Sequence, residues 1–151
     1  MTTTSRRLWI LFVSLVGVCG TLEAAGFKSQ WVEIRGGGVV GEIGGKARVL
    51  LELFNKTPQA VWVQVRMTVP APNAECTLTK PIEPGKSVDY FCTLESVVPD
   101  ADYSAAITVY RDEALTDLAE TGQTSMRVTK EHAQTLAEYM AVPELRRHST
   151  T

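Results

Sequence analysis

Val61, Val63, Val65, Met67 and Val69 alternate with Trp62, Gln64, Arg66 and Thr68. A period of two places each set on its own face of an extended chain, which predicts a half-buried antiparallel strand. The same period recurs elsewhere. Val49, Leu51 and Leu53 share a face within residues 47–54, and Tyr103, Ala105, Ile107 and Val109 share one further on. Met126 and Val128 mark a last strand over residues 121–128. Two short candidates, 30–35 and 39–43, flank Gly36-Gly37-Gly38, a composition suited to a bent or edge strand. About seven short strands separated by turns predict an all-β antiparallel sandwich.

Residues 75–98 read as a hairpin folded at Ile82-Glu83-Pro84-Gly85-Lys86, because Pro pre-sets φ and Gly accepts positive φ. Cys76 and Cys92 lie evenly about Pro84. Pairing across that turn sets Cys76 opposite Cys92, Leu78 opposite Tyr90 and Thr79 opposite Asp89. Directly opposed Cα atoms sit within disulfide reach. Val88, Tyr90, Cys92 and Leu94 alternate with polar neighbours, so the expected bridge points into the core. A redox role prefers Cys-x-x-Cys, and a metal site needs further ligands at suitable spacing; this sequence offers neither.

The pattern changes after Thr129, a suitable N-cap. Ala133, Leu136, Ala137 and Met140 recur at i, i+3, i+4 and i+7 and predict a helix over residues 130–142 with one apolar stripe. A helix this short must dock on something. The stripe offers two choices, its own sandwich or a partner, and Leu136 and Met140 are the contact residues if a partner or a second copy takes it. Pro143 ends the helix and residues 143–151 read as a flexible tail.

The N-terminus bears on how the cysteines are read. Arg6 and Arg7 precede an apolar run, residues 8–18, too short to span a bilayer and of signal-peptide length. Small residues Ala24, Ala25 and Gly26 follow. The expectation is a signal peptide over residues 1–25, a sandwich over 26–129 and a periplasmic or extracellular destination without an integral membrane span. Val18 before Cys19 departs from a lipidation motif, and Arg6-Arg7 only half matches a twin-arginine signal. In an oxidising compartment, Cys76 and Cys92 pair. The whole chain has 15 Lys+Arg and 17 Asp+Glu. Losing Arg6, Arg7 and Glu23 leaves it slightly more acidic, which argues against nucleic acid or an anionic membrane as partner.

Candidate chemistry is sparse. His132 and His148 are the two histidines, and both lie outside the predicted sandwich, His132 on the solvent side of the helix. No Ser/His/Asp or Cys/His set assembles from strand ends. Asp112, Glu113, Asp117 and Glu120 form an acidic loop without the glycine and alternating oxygens of an EF-hand, and Leu115 and Leu118 are placed to dock it. The triplet Asn55-Lys56-Thr57 fits a glycosylation acceptor, but Pro58 follows directly. No cofactor or metal is expected. Binding chemistry is better represented. Trp62, Phe91 and Tyr110 fall on the outward side of otherwise polar strands, and aromatics there can anchor a partner. Trp62 and Tyr110 belong to the third and sixth strands, which pair in the expected topology; Phe91 belongs to the other sheet.

Val98-Pro99-Asp100-Ala101-Asp102-Tyr103 resembles the tyrosine corner of immunoglobulin-like and fibronectin III-like domains. Residues 82–87 are similar to a Pro-Gly turn in bacterial adhesion-type immunoglobulin-like modules. The resemblance covers about residues 30–128 and implies an immunoglobulin-like sandwich. Ala105 stands where antibody-type domains carry a second core cysteine, and Trp62 faces outward, so no antibody-type ligand loop carries over. These readings together predict a non-enzymatic binding or assembly-accessory protein whose partner is another envelope or extracellular protein. A self-associating structural subunit is the second reading, and a small secreted hydrolase or metal-handling protein the third.

Overall fold

A computed structural model describes residues 27–142. The expected signal peptide, Cys19, His148 and the tail lie outside the described residues. Seven strands are followed by one helix: β1 (Val32–Val40), β2 (Arg48–Asn55), β3 (Val61–Thr68), β4 (Cys76–Ile82), β5 (Ser87–Thr93), β6 (Ala101–Tyr110), β7 (Leu118–Val128) and α1 (Lys130–Met140). They form two antiparallel sheets, β1-β2-β5 and β4-β3-β6-β7. The described residues therefore form the expected all-β antiparallel sandwich of seven strands with a short C-terminal helix.

The alternating faces meet as predicted. Leu51, Leu53 and Tyr90 from one sheet and Val63, Val65 and Ile107 from the other are all buried in one core. Two strand boundaries differ from expectation. The glycines do not separate two short strands; β1 runs through them, with a bulge between Ile34 and Gly36. Gly38 has φ +144°, a conformation open to glycine, so the run bends the edge strand without ending it. At the other end, β7 starts at Leu118 and shortens the acidic loop to residues 111–117.

The larger correction concerns residues 75–98. β4 and β5 do not form a hairpin ladder. β4 pairs with β3, setting Leu78 opposite Val65 and Thr79 opposite Gln64, while β5 pairs with β2. The chain crosses from one sheet to the other at residues 83–86. Asn55 determines that crossing. Its backbone N–H donates to Lys86 O and its carbonyl accepts from Gly85 N–H, at 3.0 and 3.1 Å. Its side-chain amide donates to Ile82 O and Gln59 O, both at 2.8 Å, and its Oδ1 accepts from Thr57. These bonds hold the end of β4 and the start of β5 to one residue of β2. Cys76 and Cys92 do form the expected disulfide, with Cα atoms 6.3 Å apart. It joins the edge strands of opposite sheets.

The helix docks on its own domain. Thr129 Oγ1 caps it by accepting from His132 N–H. Leu136 is completely buried and Ala133 is buried beside it. Both contribute to the core between the sheets. Gly41, just beyond β1, makes room for the stripe: a Cβ there would lie 2.8 Å from both Leu136 Cδ1 and Met140 Sδ. Gly44 N–H donates to Met140 O, which ties the last turn to the same loop. Docking of Leu136 and Met140 on a partner gives way to this packing, because Leu136 is buried inside the chain and Met140 is half-buried beside it, with Ala137 left exposed.

At the opposite end of β1, residues 27–31 strap the sheets together. Phe27 packs against the bare backbone of Gly122, Ser29 Oγ donates to Glu120 at 2.7 Å, and Lys56 Nζ donates to Ser29 O at 2.6 Å. Among the described residues no helix is long and apolar enough to cross a membrane.

Candidate binding face

The alternation of β3 and β6 sends Val63 and Val109 inward and Trp62 and Tyr110 outward. The register makes Trp62 and Tyr110 direct cross-strand partners, so the two aromatics singled out from sequence are brought together. Two further residues complete a row. Pro81 on β4 lies opposite Trp62 on its other side, and Leu118 on β7 lies opposite Tyr110. Pro81, Trp62, Tyr110 and Leu118 therefore cross all four strands side by side. Pro81 is tolerated because β4 is an edge strand, where a missing N–H costs no ladder bond. Leu118 does not dock the acidic loop as expected; it is 52% exposed. Trp62 and Tyr110 are half-buried.

The rest of this face is polar and nearly free of unpaired charge. The adjoining row is Thr79, Gln64, Thr108 and Thr121, with Gln64 Nε2 donating to Thr79 Oγ1 at 3.2 Å. Arg66 in the following row pairs with Glu75 at 3.2 Å. Beside Leu118, Arg111 binds Asp117 at 2.6 Å, donates to Leu118 O and lies 5.0 Å from the Trp31 ring centre. Phe91 sits on the other sheet and stands 37% exposed under Arg48, apart from the row.

The other candidate groups have local structural work. Asp112 accepts from the Thr116 hydroxyl and from the backbone N–H groups of Thr116 and Asp117. Those bonds, the Thr116 hydroxyl foremost, hold its carboxyl below the usual range. Among the described residues no group of three or more His, Cys, Asp or Glu is arranged to hold a metal. Asn55 is wholly buried, so the glycosylation triplet encodes a structural asparagine. His132 departs from the solvent-facing expectation: it is half-buried and its Nδ1 has no hydrogen-bond partner. Tyr103 makes the corner that its sequence context resembles, accepting from Val98 N–H at 3.0 Å and donating to Val98 O at 3.3 Å. Burial raises its phenol above the ordinary value. Tyr90 spans the core to donate to Val63 O at 2.8 Å, and burial raises its phenol further.

No known protein family matches the chain, and no curated protein matches it. Among solved structures it is similar to part of a β-glucuronidase from Bacteroides uniformis, with 12% identity and a TM-score of 0.34. That similarity covers 65% of this chain and 13% of the glucuronidase chain. It carries no argument about activity.

Proposed function

We propose that this protein is an exported, non-catalytic binding module of the cell envelope or extracellular space, and that its ligand docks on the outer face of the four-stranded sheet. The observation that carries the reading is the row Pro81–Trp62–Tyr110–Leu118. A rigid sheet presents it, and aromatics fixed on a sheet bind at low conformational cost. The Cys76–Cys92 bridge supports export, because such bonds persist in oxidising compartments.

The test is cosedimentation of the purified mature protein with the envelope fraction of its source cells. Wild type is expected in the pellet, and Trp62→Ala in the supernatant with an unchanged circular dichroism spectrum. A folded Trp62→Ala variant that pellets like wild type rejects this face as the docking site.

Self-association is the second reading, and one observation favours it. β7 is an eleven-residue edge strand with a largely uncharged sequence, LAETGQTSMRV. Phe27 and Ser29 pack on it at Gly122 and Glu120, and where an edge strand is left open it pairs with other strands. Sedimentation velocity tests it: a monomer across the accessible concentration range removes this reading.

A further inference from the structure

The geometry points to a neutral polysaccharide as the ligand of this face, an inference that rests on the binding-module reading above. The argument begins with shape. The four residues of the row span three inter-strand spacings, about 14 Å in all. That is long enough for a short run of sugar rings and only one residue deep. The next row, Thr79 to Thr121, is already polar. A stable protein interface needs an apolar centre inside a patch of about 800 Å² per partner. A single row is too narrow to supply one.

The chemistry agrees with the shape. A hexose ring offers a face of C–H groups and a rim of hydroxyls. The C–H face gains by leaving water against an aromatic or prolyl surface. The hydroxyls then need groups that both donate and accept, which Thr hydroxyls and the Gln amide do. Gln64 and Thr79 are already oriented by their mutual hydrogen bond. The two arrangements lie in parallel, an apolar row and a hydroxyl-amide row one strand repeat apart.

Charge decides between neutral and anionic sugars. The cations near the row are committed: Arg66 to Glu75, and Arg111 to Asp117. A uronic or sulfated chain would meet arginines already paired with carboxylates and the repulsion of those carboxylates. Lys80 is turned to Asp89 O and the rings of Tyr90 and Phe91 on the other sheet. An uncharged chain meets an uncharged face.

The experiment is isothermal titration of the full mature protein with cellohexaose, maltohexaose and N-acetylchitohexaose, with a heparin hexasaccharide as the anionic comparison. At least one neutral hexamer is expected to bind at about 1 mM or below. Trp62→Ala and Leu118→Ser are each expected to weaken it about tenfold. Leu118→Ser guards against misfolding of the first variant, since Leu118 is already half exposed. The inference is overturned by no binding of any neutral hexamer, by binding that both folded variants retain in full, or by heparin binding as tightly. The envelope cosedimentation separates the two levels. Loss of pelleting in the variants without sugar binding overturns the glycan and leaves the binding module standing, whereas unchanged pelleting removes both.

Discussion

Cys76 and Cys92 are bonded across the gap between two sheets, each from an edge strand. β4 and β5 share no backbone ladder, so at this side of the sandwich the bridge replaces the hydrogen bonds a hairpin would have made. It closes a loop that also contains the crossing turn. Removing it with paired Cys76→Ser and Cys92→Ser substitutions should cost about 2–4 kcal/mol. Urea unfolding with and without reductant measures this. Equal midpoints would show that the bridge adds nothing to the sheet packing.

Asn55 should be as important as a core residue of its size. Asn55→Ala removes the amide donor to the Ile82 and Gln59 carbonyls and the acceptor for Thr57, leaving Gln59 O with the Thr57 hydroxyl. The expected loss is about 2–3 kcal/mol, with Asn55→Asp no better, because a carboxylate cannot donate to the two carbonyls. Intact mass of protein from a glycosylating host should show no glycan at Asn55. A modified yet folded protein would contradict its burial.

Gly41 sets how closely α1 approaches. Gly41→Val places a side chain where Leu136 and Met140 now sit, and overpacking of this kind costs about 1–3 kcal/mol. Hydrogen exchange should show the effect as lost protection in residues 130–140, with strands β3 and β6 unchanged. Uniform loss across the sandwich would mean the helix and sheets unfold as one unit.

The two interior tyrosines make the fold sensitive to alkali. Their folded pKa values lie above the unfolded value of about 10. The native state therefore keeps its phenolic protons where the unfolded state has lost them. Stability from this source is complete below pH about 10 and declines as pH rises through the folded values. Tyr90→Phe should flatten that decline while losing about 1 kcal/mol at neutral pH with its bond to Val63 O. Urea midpoints from pH about 8 to about 11 check both parts. A Tyr90→Phe protein with the full alkaline decline would assign the effect elsewhere.

Much of this architecture was legible in the residues. The alternation in β3 and β6 located the core and put Trp62 and Tyr110 outside, and the expected topology put their two strands side by side; that the two residues are direct partners came from the register. The choice of sheet for β4 was not legible. A Pro-Gly turn is compatible with either a hairpin or a crossing, and Asn55, which decides the matter, lies a whole strand away and reads locally as a turn residue. Pro81 and Leu118 were missed for a related reason. Each is unremarkable in its own strand and joins the row only through register, which a linear pattern does not contain. The stripe on α1 was read correctly as apolar, but its destination depended on Gly41, whose use is visible only once the helix lies over it.

The helix that closes the core is also the last described element of the chain. Until residues 130–140 emerge, Leu136 is absent and the space between the sheets stays open at that end. Completion of the interior therefore waits on residues 130–140, after all seven strands have been made. A copy that stops before α1 carries all seven strands and still displays an unfinished interior where Leu136 and Ala133 would sit.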